Sequence, residues 1–225
     1  MTQQQQPLIV FDCDYTLWPF DCDKDVVAPF SAHTAGGIID RSWRPANPFP
    51  EVRAVFQYIV ENKMSFAIAS RNPSANSIAQ LLACIMIPVD GGHKSVWSML
   101  PAGSFHAYSS CGAKAKTAHF ARISKATGRP LSDMVFFDDL PENVKVASQQ
   151  GVTSILVGQK VGLTMAAFNC GLEAFAKMKA ERLALALSDA QQQQQKIEAI
   201  TPIEESPNEV QASVSEGQVG SGANI

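Results

Sequence analysis

Apolar and polar positions follow two different periods along residues 7–187, and the change of period predicts the secondary structure. Short apolar runs, typical of strands buried on both faces, occupy residues 8–11, 65–69, 134–137 and 152–157. A shorter strand is predicted at residues 106–109. Residues 51–62 instead place apolar side chains at i, i+3, i+4, i+7 and i+8, the spacing of an amphipathic helix. Further helices are predicted over residues 74–85, 113–127, 141–150 and 164–187, the last interrupted near Gly171.

Strands and helices alternate along the chain, and this order predicts an α/β fold. A strand, a helix and a second strand form a βαβ unit, and repeated units build a mostly parallel sheet covered by helices. Ligands of such sheets bind in the crevice beyond the carboxyl ends of the strands. The residues that directly follow each predicted strand are therefore the first candidates for a functional site.

Both ends of the chain have a composition that predicts disorder. Residues 1–6 include a run of four glutamines, and residues 191–195 are five more. From residue 188 to residue 225 the chain is rich in Glu, Ser, Gln and Gly and offers little apolar surface to bury. We therefore expect one folded domain at residues 7–187 between two disordered tails.

Composition and charge exclude several classes of partner. The 225 residues are 46% hydrophobic and carry a net charge of -3, without the basic surface that nucleic acid requires. The longest apolar run, residues 81–89, is too short to cross a membrane, and no basic and apolar leader opens the sequence. The five cysteines lack the spacing of a disulfide framework or a zinc site. We expect a cytoplasmic protein, with a nuclear location as the alternative.

Polar and charged side chains gather where the predicted strands end. Carboxylates follow the first and fourth strands, a hydroxyl and a cation follow the second, and two lysines begin a helix after the third. In chain order the candidates are Asp12, Asp14, Thr16, Ser70, Arg71, Asn72, Lys114, Lys116, Asp138 and Asp139. Carboxylate oxygens suit Mg²⁺, which is commonly shared with the phosphate of a substrate. This edge of the sheet therefore predicts a site for a cation and a phosphate together.

The two carboxylates in the segment VFDCDYT allow a specific chemistry. A carboxylate attacks a phosphate ester only when a cation offsets the repulsion between the two anions, and it then forms an aspartyl-phosphate. A second carboxylate two residues along the same loop can protonate the leaving oxygen and later deprotonate water. Asp12 and Asp14 have the order and the spacing for this division of work.

These motifs resemble those of the haloacid dehalogenase (HAD) superfamily of phosphatases. The segments that carry the resemblance are VFDCDYT, AIASR, the lysine near a helix start and FFDD. Within the superfamily the chain is most similar to the magnesium-dependent phosphatase 1 branch, through FDCDYTLWPF, ASRN, KTAHF, KATGRPLSDMVFFDD and GVTSIL. The likeness covers about residues 8–178. It implies a Rossmann-like three-layer α/β/α sandwich with a minimal cap.

The resemblance implies a role for each acidic candidate. Asp12 is expected to be the nucleophile and Asp14 the general acid and base. The Asp12 side chain, the backbone carbonyl of Asp14 and the Asp139 side chain are expected to bind Mg²⁺. Asp138 is expected to lie outside the direct ligands.

The resemblance also implies a phosphate-binding set and a substrate class. Ser70 and Lys116 are expected to bind the phosphoryl group, and Arg71 the substrate. Lys116 is favoured over Lys114 because K-x-x-H-F matches the branch. The branch tends to have an aromatic residue after W-P-F, where this chain has Asp21. We expect a monomer that hydrolyses a phosphorylated small molecule or a phosphoprotein, such as a phosphotyrosine or a sugar phosphate.

Other function classes would require different motifs in the sequence. None of the cysteines is followed six positions later by Arg, which excludes a cysteine-dependent phosphatase, and no G-x-x-x-x-G-K-[ST] motif is present. A receiver-like signalling domain also combines a phosphorylated Asp, a metal site, a hydroxyl and a Lys. In that architecture, however, the acidic pair ends the first strand and the acceptor Asp ends a later one. Here the acidic pair Asp138 and Asp139 ends a later strand, and a second carboxylate, Asp14, stands two residues after the expected acceptor Asp12 and permits turnover. A catalytically silent binding protein is the third hypothesis.

Overall fold

The chain is described by a computed structural model over residues 6–32, 37–108 and 114–200. Within these residues the strands are β1 Leu8–Phe11, β2 Ser31–Ala32, β3 Ile38–Ile39, β4 Phe66–Ser70, β5 Met86–Val89, β6 Gly92–Ser95, β7 Phe105–Ala107, β8 Met134–Asp138 and β9 Thr153–Leu156. The α-helices are α1 Val52–Glu61, α2 Ala75–Cys84, α3 Lys114–Thr127, α4 Pro141–Gln149 and α5 Met165–Ile200. Short 3₁₀ turns cover Trp97–Met99 and Leu131–Asp133.

Five strands form one parallel sheet in the order β7-β4-β1-β8-β9. β1 lies at the centre, with Ile9 opposite Phe66 on one side and Val135 on the other. A central strand in a parallel sheet is buried on both faces, and β1 is accordingly apolar at every position. The predicted α/β fold with a mostly parallel sheet is confirmed.

Helices cover both faces of the sheet and give it three layers. Ile9 and Phe11 of β1 contribute to a core with residues of α1, α2 and the first part of α5, including Phe56, Leu81 and Phe168. The alternate residues Leu8 and Val10 belong to a second core, which contains Phe120 of α3 and Ala147 of α4. The alternation follows from the two-residue period of a strand, which sends successive side chains to opposite faces.

Two short antiparallel hairpins were not predicted from the sequence. β5 and β6 pair through a turn at Gly91, whose φ of 84° is a left-handed conformation that glycine adopts without strain. The apolar run at residues 81–89 therefore contains the end of α2 and then β5, which the sequence pattern did not separate. β2 and β3 form the other antiparallel pair, inside the segment of residues 18–48 that lies between β1 and α1.

The segment before α1 is held in place by a buried carboxylate. Asp40 accepts hydrogen bonds from the backbone N–H groups of Val27, Ser42 and Arg44, and from the Arg44 guanidinium. Burial of Asp40 opposes ionisation, but the bonds from Arg44, Val27 and Ser42 outweigh it and lower the pKa of Asp40 to about 2. Asp40 is thus the structural centre of this loop.

The last helix differs from the sequence prediction in two ways. α5 runs through Gly171 without a break. The glycine is needed there for packing, because a Cβ would lie 2.6 Å from the Phe137 ring of β8. The helix also continues beyond residue 188 to Ile200. Disorder was expected from residue 188 onwards, whereas residues 188–200 are helical. The remaining parts of the predicted tails, residues 1–5 and 201–225, lie outside the described residues.

The chain divides into two compact units, Met1–Leu183 and Ala184–Ile225. The first contains the sheet and both cores. The predicted boundary between residues 187 and 188 stays a prediction. Across the described ranges, no helix combines the length and the apolar character that a membrane span needs.

Candidate active site

A pocket of about 610 Å³ lies beyond the carboxyl ends of β1, β4 and β8. These strands end next to one another because β1 lies between β4 and β8 in the sheet. The pocket is lined by Asp12, Asp14, Tyr15, Asp21, Asp23, Lys24, Ser70, Arg71, Asn72, Pro73, Asp139, Leu140, Asn143 and Gln159. Strand ends that are far apart in sequence are thus brought to one polar cavity.

A buried ion pair connects Asp12 to Lys116. The Lys116 Nζ lies 2.6 Å from Asp12 Oδ1 and 2.9 Å from Asp138 Oδ2, and it also donates to the Ala69 carbonyl. Lys116 is fully buried. Burial alone would lower the pKa of Lys116, but Asp12 and Asp138 raise it above its ordinary value, so the ammonium stays charged. Burial also raises the pKa of Asp12, an effect that the adjacent ammonium opposes.

Asp138 is surrounded by hydrogen-bond donors. Its Oδ1 accepts from the Leu140 N–H at 2.8 Å, and both of its oxygens lie 3.0 Å from the Asn143 Nδ2. Together with Lys116, these groups surround a side chain that has no exposed surface. Asp138 therefore fixes Lys116 and the start of α4.

Asp139 lines the pocket, in contrast to its neighbour. Its Oδ2 accepts a hydrogen bond from Gln159 Nε2 at 2.7 Å. Burial raises the pKa of Asp139, while the bond from Gln159 favours the ionised form. Carboxylate oxygens of Asp12, Asp138 and Asp139 all lie within 4.8 Å of one another, a set that could hold a metal ion. Hard oxygen donors at this spacing fit Mg²⁺.

The Asp14 carboxylate is held by three donors. Its Oδ1 accepts from the Trp18 indole Nε1 at 2.8 Å and from the Cys22 N–H at 3.1 Å. Its Oδ2 accepts from Asn72 Nδ2 at 2.6 Å. Burial raises the pKa of Asp14, and the bonds from Asn72, Trp18 and Cys22 act in the opposite direction. A carboxyl with a raised pKa, fixed at a pocket wall, is suited to donate and accept a proton.

Ser70 ends β4 and Arg71 follows it, on another wall of the pocket. Ser70 Oγ accepts a hydrogen bond from the Asn72 N–H at 3.1 Å. Arg71 donates to Asn143 Oδ1 at 3.2 Å, which links the end of β4 to α4. A hydroxyl and a guanidinium at this position could both donate to an anion in the pocket.

Comparison with known proteins identifies the family. The family model described as "Acid Phosphatase" matches residues 5–178. The chain is also 33% identical over 183 residues to "Magnesium-dependent phosphatase 1" of Homo sapiens, which covers 81% of this chain and 94% of the human protein. The chain belongs to the acid phosphatase family. Membership confirms the resemblance to HAD phosphatases.

Two further proteins are similar to this acid phosphatase family member. A "HAD-like hydrolase superfamily protein" of Schizosaccharomyces pombe is 32% identical over 162 residues, which is 71% of this chain and 90% of the yeast protein. The crystal structure of the N-terminal part of the protein BF1531 from Bacteroides fragilis, "containing phosphatase domain complexed with Mg", is 16% identical with a TM-score of 0.48. That match covers 76% of this chain and 40% of the other.

In this acid phosphatase family member, the predicted site residues meet around one cavity. Asp12, Asp14, Ser70, Arg71 and Asp139 all line the pocket. Lys116, predicted to bind phosphate, lies behind Asp12 and is not among the lining residues.

Four polar contacts at the site were not predicted. Asn72 and Trp18 hold Asp14, Gln159 holds Asp139, and Asn143 holds Asp138. Asn72 had a signal, since it follows β4 directly after Ser70 and Arg71. Gln159 had none, because its turn after β9 carries no motif.

Proposed function

We propose that the chain is a Mg²⁺-dependent phosphomonoester hydrolase that works through an aspartyl-phosphate on Asp12. The observation that carries this proposal is the position of the Asp12 carboxylate, which lines the pocket, is bound to the Lys116 ammonium and lies beside Asp139. Lys116 fixes one carboxylate oxygen, which leaves the other to attack phosphorus. The family and the name of the human relative support the same chemistry.

Asp12, Asp139 and the backbone carbonyl of Asp14 would hold the Mg²⁺ ion. The hydrogen bonds to Asp138 support its place outside the direct ligands, because its oxygens are already engaged by Asn143, Leu140 and Lys116. When bound, Mg²⁺ acts as a Lewis acid that offsets the repulsion between the phosphate and the Asp12 carboxylate.

Asp12 and Asp14 have different roles in the two half-reactions: Asp12 carries the phosphoryl group and Asp14 transfers the proton. An Asp12 oxygen forms a bond to phosphorus as the ester bond breaks, and Asp14 gives its proton to the leaving oxygen. Asp14 then takes a proton from water, whose oxygen attacks phosphorus and releases phosphate and the free Asp12 carboxylate. Ser70 and Arg71 donate hydrogen bonds to the phosphate and the substrate, and Lys116 stabilises the nucleophile from behind.

The substrate is a phosphomonoester on a small molecule or a protein. The 610 Å³ pocket adjoins the short segment 18–48 rather than a separate cap domain, so the phosphate could be presented on a larger molecule. Phosphotyrosine in proteins and sugar phosphates are the classes we propose, with the enzyme acting as a monomer.

A screen of the purified protein against a panel of phosphomonoesters, with Mg²⁺ and with EDTA, tests this function. We expect hydrolysis of an aryl phosphate that EDTA abolishes and beryllium fluoride inhibits. Asp12→Asn should remove turnover with the fold intact, and Asp14→Asn should slow it by about 10²–10⁴-fold. Turnover that is unaffected by metal removal would contradict the mechanism. A phospho-Asp12 that persists for hours without turnover would instead indicate a receiver-like domain.

A further inference from the structure

The Asn72 side chain joins two carboxylates that come from the segment after β1. Its Nδ2 lies 2.6 Å from Asp14 Oδ2 and 3.1 Å from Asp21 Oδ1. These residues are separated from Asn72 by 58 and 51 positions in sequence. Asn72 is 7% exposed and lines the pocket together with both carboxylates.

The orientation of the Asn72 amide is fixed by its other contacts. Its Oδ1 accepts the Ser74 N–H at 2.8 Å, and its own backbone N–H donates to Ser70 Oγ. A side-chain amide has two N–H donors, and here they face Asp14 and Asp21. Rotating the amide by 180° would place its oxygen against two carboxylates and its NH₂ against the Ser74 N–H. The arrangement therefore allows only one orientation.

Asp14 is approached from two sides of the pocket. Trp18 and Cys22, which belong to the same segment as Asp14, donate to Oδ1. Asn72 donates to Oδ2 from the end of β4. Contacts on both oxygens fix the rotation of a carboxylate about its last bond, and a positioned acid must keep that rotation to reach the leaving oxygen.

We propose that Asn72 is a positioning residue that orients Asp14 for proton transfer to the leaving group, and that Asp21 locks Asn72 in place. The inference rests on the proposed function and deepens it. Asp21 Oδ1 also accepts the Asp23 N–H, and Asp21 Oδ2 is paired with Lys24, so Asp21 is itself held. Hydrogen bonds thus connect Asp21 through Asn72 to Asp14, the proposed acid.

The acidity of the leaving group separates this role from a structural one. A leaving group that is a strong acid departs without a proton, whereas a weaker acid needs one in the transition state. Phenyl phosphate and 4-nitrophenyl phosphate are similar in size, and phenol is the weaker acid of the two products. Loss of a correctly placed acid therefore slows the phenyl ester more than the nitrophenyl ester. A general loosening of the site slows both alike.

Two variants remove the donor. Asn72→Asp keeps the shape of the side chain and an acceptor for the Ser74 N–H, but it adds a charge that also acts on the proton of Asp14. Asn72→Leu removes the amide without adding a charge, so a selective loss in both variants assigns the effect to the missing donor. We expect kcat/KM for phenyl phosphate to fall at least about 10-fold further than for 4-nitrophenyl phosphate, a part of the 10²–10⁴-fold worth of a positioned acid.

Two Asp21 variants test the lock. Asp21→Leu removes the acceptor for the Asn72 amide and should give a smaller loss that is also selective for phenyl phosphate. Asp21→Asn retains an oxygen acceptor at the same place and should retain the wild-type ratio between the two esters. Thermal unfolding of each variant shows whether the fold is intact, and the ratio is measured on the folded fraction.

The outcomes separate the inference from the function on which it rests. Asp14→Asn is the reference variant and should show the largest selective loss. If the wild type hydrolyses neither ester, or if Asp14→Asn slows both equally, the proposed function and this inference both fail. If Asp14→Asn is selective but Asn72→Asp slows both esters equally, only the inference is overturned.

Discussion

At the scale of single residues, the site depends on a lysine that has no contact with solvent. Lys116 is fully buried and is placed between Asp12 and Asp138. Removing an ammonium from water is costly unless opposite charges replace the hydration. The two carboxylates do so, and the lysine in turn reduces their repulsion. Removing the lysine would leave the two carboxylates facing each other without a compensating cation.

Lys116→Met should therefore destabilise the protein and remove its turnover. Breaking a buried ion pair by deleting one partner costs about 3–5 kcal/mol, because the remaining carboxylates repel each other in a dry environment. Urea unfolding measures the loss. Lys125→Met is the matched control on the exposed side of α3, and we expect it to change the free energy of unfolding by less than about 0.5 kcal/mol.

Gln159 should tune the affinity of the metal site. Its amide donates to Asp139 Oδ2 and so orients a proposed Mg²⁺ ligand. Loss of such an outer contact typically weakens metal binding about 10–100-fold. We expect Gln159→Leu to raise the Kd for Mg²⁺ in calorimetry by that factor, with kcat largely kept at saturating Mg²⁺. Val161→Ala, in the same turn, is the control. An equal rise in its Kd for Mg²⁺ would contradict a specific role for Gln159.

At the scale of elements, short turns determine how the strand ends meet. The turn after β9 carries Gln159 to the pocket, and it closes through a bridge between Gly158 and Gly162. Gly162 has a φ of 68°, and a Cβ there would lie 1.9 Å from the Phe49 ring. Glycine is thus required both by the backbone conformation and by the close contact with Phe49.

Gly162→Ala should destabilise the fold, whereas Gly158→Ala should not. A left-handed alanine costs about 1–3 kcal/mol, and the clash with Phe49 adds to that cost. Gly158 has ordinary φ and nothing within 4 Å of its Cβ position. The melting temperatures of the two variants, measured side by side, give the comparison. Equal melting temperatures would contradict this account of the turn.

The loop centred on Asp40 should make stability depend on pH in the acid range. The folded pKa of about 2 lies below the unfolded value of about 3.9, so the folded state favours the ionised form. The stabilisation is complete above the unfolded pKa and is lost as the pH falls from about 4 towards 2. Asp40→Asn should remove this part of the dependence. Denaturation curves of both proteins across that pH range test this. If the free energy of unfolding changed with pH to the same extent in both proteins, Asp40 would be excluded as the cause.

Periodicity predicted the larger elements but not the small ones. The apolar run of β1 and the spacing of α1 are strong local signals, and both elements are found close to the predicted bounds. The hairpin of β5 and β6 was missed because its apolar residues continue the pattern of α2. The break expected at Gly171 is absent because packing against Phe137, a distant residue, decides the role of that glycine.

At the scale of the whole molecule, the site is contained in the first of the two compact units. Every residue that lines the pocket lies before residue 184. The acidic candidates were predictable because motifs mark the ends of β1 and β8. Asn72 and Gln159 were not assigned a role, since their partners lie 58 and 20 positions away and only the fold brings them together.

A chain that ends at Ser188 should keep its phosphatase turnover. The truncation removes residues 189–225 and leaves intact the unit that contains the pocket. We expect kcat/KM to stay close to that of the full chain, since all the residues that line the pocket belong to the retained unit. Steady-state kinetics of the two proteins on one aryl phosphate provide the measurement. A large loss would show that the C-terminal unit contributes to the site.

The bond between Trp18 and Asp14 gives the molecule an optical reporter of its own. Of the three tryptophans, Trp18 is 1% exposed, whereas Trp97 is 40% and Trp43 77% exposed. The Trp18 indole donates directly to the carboxylate that we propose moves the proton, and its ring stacks on Phe20. A change of charge on Asp14 therefore acts on the indole without any added label. Trp43→Phe and Trp97→Phe together would leave a single emitter, placed beside the chemistry.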